Sequence, residues 1–293
     1  MEGDRASHTA VLVCQGRAAA HGRIAEGRFA DPLAMGLLRI DERVVVQRVR
    51  EGEPPTGWGE RVEFEMVRAS SEVVVPRTVA IDDAIRARPV SQLVVLGAGL
   101  DDRAWRMPEL ADVDVFEVDH PASQRDKRSR LGDLQALARS VRFVPVDFSR
   151  DRLGAALASA GHDPDGATAW IWEGVVPYLS RDEVTATVQA VSDTSATGSR
   201  LVVNYQSPSL SAAIGRLTAR AMTRVARRRS PWAEEPRRSS WSPSAMSELL
   251  ARHGFSLERD DDLLALAVEL SIPVRQHWSL RAGRVAVADR QPR

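Results

Sequence analysis

Residues 93–106, LVVLGAGLDDRAWR, constrain this chain more than any other stretch. An apolar run stops at a Gly-x-Gly turn. One crossover later, residues 113–121, VDVFEVDHP, form a second apolar run that stops at Asp119. A parallel sheet that holds a nucleotide is built this way, with ligands beyond the carboxyl ends of the strands. The rhythm continues downstream. Strand-like runs fall at Gln92–Leu96, 113–118, 141–146, Thr168–Trp172 and 200–205. Helix-like runs fall at 123–139, 151–160 and 181–195, the last capped by Ser180 or Asp182. Alternating strands and helices imply an α/β fold, a parallel sheet with right-handed crossovers.

The flanks read differently. Residues 8–87 are mostly helical by spacing, with segments at 9–21, 31–39 and 71–86 and a Pro- and Gly-rich loop at 51–59. Residues 207–245 break the rhythm. A helix with a basic face at 213–229 leads into a loop rich in Pro, Ser and Trp, and a short helix at 244–253 is closed by Gly254. Two strand-like ends, 275–280 and 284–288, are expected to form a terminal hairpin through a tight turn at 281–283. The expected organisation is a helical cap over 1–90 and a doubly wound core over 91–293, with 207–245 inserted as a lid over the substrate.

Forty basic and forty acidic residues cancel, so net charge does not point to nucleic acid. Cys14 is the single cysteine, which excludes a disulfide framework and a Cys-based metal site. The six histidines show no ligand spacing, and no metal is expected. No apolar run approaches the ~20 residues that span a bilayer, and the run at 10–14 is too short for a signal segment. A cytoplasmic protein, monomeric or homodimeric, with no nucleic-acid or membrane partner, is the expectation.

Gly97 and Gly99 let backbone approach a ligand where a Cβ would clash. A dinucleotide site wants a third glycine at the position held here by Asp102. Asp101 and Asp102 side by side would repel a pyrophosphate, which disfavours a nicotinamide-dependent dehydrogenase. A cationic ligand without phosphate, such as S-adenosyl-L-methionine, suits the turn better. Asp119 is placed to accept hydrogen bonds from ribose hydroxyls. Asp147, ending FVPVD, can reach an adenine amine while Phe148 lies against the purine face. Glu173, in WIWEGVVPYL, points toward the sulfonium and its amino-acid tail. Each acid alone could be an ordinary strand-end, capping or ion-paired residue; together they mark four successive strand ends.

GAGLDDRAWR, FEVDHP with Lys127 six residues after Pro121, VPVDF and EGVVPYL resemble the leucine carboxyl methyltransferase superfamily. They are most similar to its bacterial O-methyltransferases, which include tetracenomycin-type polyketide carboxyl methyltransferases. The resemblance runs from about residue 9 to residue 177, plus the terminal hairpin. It implies a Rossmann-like seven-stranded sheet whose last strand is antiparallel. It also implies that Gly97, Ala98 and Gly99 contact the methionine part of the cofactor, that Asp119 binds ribose, and that Asp147 with Phe148 binds adenine. Glu173 would face the cofactor amino group, and Arg77, in VPRTVAIDD, would hold its carboxylate. The block TAVLVCQGRAAAHG resembles the family's cap, with Arg17 a candidate there. Residues 207–245 match no family block.

The resemblance implies O-methylation of a small-molecule carboxylate or hydroxyl, in secondary metabolism. A protein or peptide carboxyl methyltransferase and a cofactor-binding regulator without turnover are the alternatives. No general base stands out. His120, Tyr178 and Tyr205 are the candidates nearest the strand ends, while His253 and His277 lie further on. Trp232 and Trp241 would suit a flat aromatic acceptor.

Overall fold

The computed structural model describes residues 7–148, 151–208, 238–275 and 277–292. The basic helix expected at 213–229 and Trp232 lie outside the described residues. Seven strands form one sheet: β1 (Gln92–Leu96), β2 (Asp114–Asp119), β3 (Ser140–Pro145), β4 (Thr168–Trp172), β5 (Arg200–Gln206), β6 (Phe255–Asp262) and β7 (Gly283–Arg290), in the order β3-β2-β1-β4-β5-β7-β6. The first five run parallel, and β7 is antiparallel to both β5 and β6. β1 and β4 are neighbours, so the strand order reverses between them and a crevice opens at their carboxyl ends.

Both faces of the sheet are covered, which is why β1 and β4 are buried throughout and apolar after their first residues, Gln92 and Thr168. Alternation sorts their side chains. Leu93, Val95, Ala169 and Ile171 pack on one face with the long helix α4 (Trp58–Arg86). Val94, Leu96, Trp170 and Trp172 pack on the other, with α7 (Leu153–Ser159), α8 (Arg181–Asp193) and α9 (Pro243–Arg252). α8 starts at a capping box: Ser180 Oγ accepts the Glu183 N–H at 3.2 Å, and Glu183 Oε2 accepts the Ser180 N–H at 2.6 Å.

A third cluster joins α1 (His8–Ala20), α2 (Ala34–Leu37), α3 (Ile40–Glu51) and the first half of α4 to Leu100, just past β1. Of these helices, α1 and α4 line the crevice. No described helix is long and apolar enough to cross a membrane.

Four boundaries differ from the sequence reading, the first being α4, which begins at Trp58 where a helix is expected only from residue 71. The helix expected at 31–39 is only the single turn of α2, and α3 follows it. The helix expected at 123–139 is α6 (Pro121–Leu131), which stops at Gly132 with φ 53°. The terminal hairpin is drawn from other residues. Residues 277–282 form helix α11, and β7 pairs with β6, with α10 (Leu263–Glu269) and α11 lying between them. β6 reads FSLERDDD; as the sheet's last strand it carries acids that hide its alternation. The segment at 275–280, RQHWSL, is too short and too polar to carry a periodicity that separates strand from helix.

Candidate active site

A cavity of about 850 Å3 opens at the carboxyl ends of β1, β2, β4 and β5. Its floor carries Gly97, Ala98, Gly99, Asp101, Asp119, Glu173 and Asn204; Phe148 flanks it, and α1 and α4 roof it. Ten of the residues singled out in the sequence therefore meet in one place: Arg17, Arg77, Gly97, Ala98, Gly99, Asp101, Asp119, Phe148, Glu173 and Tyr178.

The glycine turn is shaped by its neighbours. Gly97 and Gly99 have φ of 68° and 49°, where L side chains are strained. A Cβ on Gly97 would stand 2.3 Å from Val175 Cγ2, and one on Gly99 3.1 Å from Ala10 Cβ. The Gly97 and Ala98 N–H groups donate to the Val118 carbonyl at 2.8 and 3.2 Å, closing the turn against β2. Gly99 N–H donates to Asp119 Oδ2, and His120 N–H to Asp119 Oδ1, both at 2.6 Å. Burial pushes the Asp119 carboxyl up, while these donors and Lys127 oppose the shift.

Glu173 lies between two guanidiniums. Arg77 Nε is 2.6 Å from Oε1, and Arg103 Nη1 is 3.0 Å from Oε2. Burial alone would raise Glu173, but Arg77 and Arg103 outweigh it and hold the carboxyl below its ordinary value. Gly174 follows with φ 70° and open space where a Cβ would stand. Its N–H donates to Asn204 Oδ1 at 3.3 Å, and Asn204 Nδ2 donates to the Arg284 carbonyl at 2.9 Å.

Behind the floor runs a chain of buried ion pairs. Arg103 contacts Asp101 and, at 2.7 Å, Asp82. Asp82 pairs with Arg106 at 2.8 Å, and Arg106 with Asp102 at 2.9 Å. Arg17 Nε is 2.7 Å from Asp31, and Arg17 Nη2 donates to the Leu100 carbonyl at 2.6 Å. Despite burial, Arg103, Lys127 and Arg17 hold Asp101 down to about 2. Burial, and then Asp31, push Asp102 up to about 7, while Arg17 holds Asp31 below its ordinary value.

This corrects the argument from Asp102. It is completely buried and faces Arg106 and Arg17 rather than the cavity, so it would not repel a phosphate there. Asp101 does line the cavity, already paired with Arg103. The acids that line the cavity are Asp101, Asp119 and Glu173 at the strand ends and Glu65 on α4.

Two of the three candidate bases are corrected. His120 is exposed and does not line the cavity. Its Nδ1 accepts the Ala122 N–H at 3.2 Å, capping α6 ahead of Pro121. Tyr205 is fully buried and donates its hydroxyl to Asp260 Oδ2 at 2.6 Å; burial and Asp260 raise its pKa. Tyr178 remains, half-buried on the cavity wall. Asp147 does not line the cavity; its backbone closes a turn with Asp151. Trp241 is core, with the Arg181 guanidinium 4.4 Å above its ring. His253 and His277 also lie off the cavity.

Sequence reasoning missed the roof. Trp58, Val62, Met66, Ala69 and Val73 all line the cavity and recur at helical spacing along α4. That stripe was visible in the sequence, but the helix was begun at residue 71 instead of 58. Sequence reasoning also missed Asn204, whose role depends on a turn from another strand.

The chain matches the leucine carboxyl methyltransferase family over residues 10–192. It is 38% identical over 200 residues to a candidate S-adenosyl-L-methionine-dependent methyltransferase of Frankia alni, covering 66% of each chain. Against one from Streptomyces coelicolor it is 35% identical, again covering 66% of each. The matched segment thus spans just under two thirds of those relatives. Among solved structures it is similar in fold to a candidate methyltransferase from Thermobifida fusca, with a TM-score of 0.58 and 16% identity over 99% of this chain and 97% of that one.

Proposed function

The chain belongs to the leucine carboxyl methyltransferase family, and on that premise we propose that it is an S-adenosyl-L-methionine-dependent methyltransferase acting on an oxygen of a small molecule, a carboxylate in preference to a hydroxyl. The observation that carries this reading is the floor of the cavity. Asp119 and Glu173 project from the ends of β2 and β4 around a glycine turn, and the arginines that line the cavity, Arg17, Arg61 and Arg77, are each already paired with a carboxylate. Carboxylates around a close backbone approach fit a cationic, phosphate-free ligand. The open space at Gly174 adds room beside Glu173.

S-adenosyl-L-methionine supplies, when bound, a methyl group on sulfonium that is open to in-line displacement. Asp119 would hold the ribose hydroxyls, and Gly97, Ala98 and Gly99 the methionine part. Glu173 would accept the amino group, with Arg77 beside it for the carboxylate. Phe148 would cover the purine; the adenine role of Asp147 is retained only as its neighbour. The chain's own contribution is alignment in a pocket roofed against water by α1 and α4.

The acceptor preference follows from the missing base. No histidine lines the cavity among the described residues. A carboxylic acid near pKa ~4 is ionised at neutral pH. A phenol near ~10 is ionised to about one part in a thousand, a cost of ~4 kcal/mol that a general base would have to offset. A carboxylate needs no such help, and Tyr178 can donate to it.

Thermal unfolding with S-adenosyl-L-methionine or S-adenosylhomocysteine is the direct test. At ~100 times its dissociation constant either ligand should add about 2.7 kcal/mol. No shift with either, or a shift with NAD alone, would reject the reading. Methyl-labelled cofactor offered with panels of carboxylates and phenols then decides the acceptor.

A further inference from the structure

Once the strand-end residues are assigned to the cofactor, the part of the remaining wall that α4 supplies is mostly apolar, beside polar groups at Thr9, Ser70 and Gln206. Trp58, Val62, Met66, Ala69 and Val73 occupy one stripe of α4, and Leu12 of α1 faces the same space. The stripe begins at Arg77, which contacts Glu173, and ends at Trp58, which is 63% exposed. Val62, one turn inward, is 40% exposed. From Val73 to Trp58 the helix rises about 22 Å. Two large apolar side chains left in water at the mouth of a cavity are what a ligand with an apolar body would cover. The polar interruption, Arg61 with Glu65, is internally paired at 3.3 Å, and Glu65 is also held by Arg68 at 2.7 Å.

We infer that the acceptor is an amphiphile with an extended apolar body. Its reacting oxygen lies at the strand ends beside Glu173 and Tyr178, and its body lies along the α4 stripe toward Trp58. Met66 and Val62 then determine specificity for the length of that body. The inference rests on the methyltransferase reading for which end reacts. The apolar wall itself does not depend on that reading.

The test uses straight-chain carboxylates from decanoate to octadecanoate, long enough to reach Met66 and Val62 from Glu173, titrated into the full chain with and without saturating S-adenosylhomocysteine. The expected result is a dissociation constant that falls about fourfold per added methylene. Met66→Asp and Val62→Asp should flatten that dependence while leaving affinity for S-adenosylhomocysteine unchanged. That affinity also reports that each variant is folded, and Val62, partly exposed, guards against loss of folding in Met66→Asp. Affinity independent of chain length, or a dependence that survives in both variants, overturns the inference. Failure of S-adenosylhomocysteine to bind the parent chain would instead reject the methyltransferase reading, and the length series without it would still decide this one.

Discussion

Gly99 donates its backbone N–H to Asp119 Oδ2 at 2.6 Å, tying the turn after β1 to the end of β2. With the His120 N–H on its other oxygen, the Asp119 carboxylate is fixed in orientation. Asp119→Ala is expected to lower affinity for S-adenosylhomocysteine roughly tenfold, about 1.4 kcal/mol, by titration calorimetry. The circular dichroism spectrum should not change. Unaltered affinity would remove the ribose assignment.

The two tyrosines should separate cleanly. Tyr205→Phe loses a buried hydrogen bond to Asp260 and should cost about 1 kcal/mol or more in urea unfolding, since Asp260 loses a partner. Its kcat should stay at the parent value. Tyr178→Phe removes a hydroxyl from the cavity wall. It should reduce kcat/KM roughly tenfold, the worth of one hydrogen bond made to the reacting acceptor, without moving Tm. Equal kinetics in the two variants would argue that neither phenol meets the acceptor.

The carboxyl pair behind the floor predicts a pH dependence. Asp102 is pushed up from 3.8 to about 7, so between those values the folded chain keeps a proton that the unfolded chain has released. Its contribution is fully present below about pH 4 and is lost as pH rises toward 7. The slope is at most about 1.4 kcal/mol per pH unit. Asp102→Asn imitates the protonated carboxyl, so it should remove this slope and be the more stable protein at pH 8. Urea midpoints across pH 4–8 would show it; an identical slope in parent and variant would mean that Asp102 does not hold the proton.

Much of the site was legible because it is made at strand ends. A strand buried on both faces is mostly apolar, so Leu93–Leu96 and Val115–Val118 announce themselves, Glu117 being buried only because Lys127 pairs with it, and the glycine or acid at their ends marks where the backbone leaves the sheet. Gly97, Gly99, Asp119 and Glu173 were found in this way. His120 and Tyr205 were misread because proximity in sequence to a strand end does not say which way a side chain points. His120 turns back to cap α6, and Tyr205 falls on the core face of β5.

The order of apolar runs and turn residues by itself determined the parallel sheet, the crevice and the acids that line it, because strand burial and backbone conformation are local demands that only certain residue types meet. Tertiary structure alone decided that Asp102 faces two arginines, that β6 and not residues 275–280 partners β7, and that one stripe of α4 becomes a cavity wall. Those outcomes depend on contacts between segments far apart in the chain, and a charge or an apolar stripe carries no mark of which distant segment it will meet.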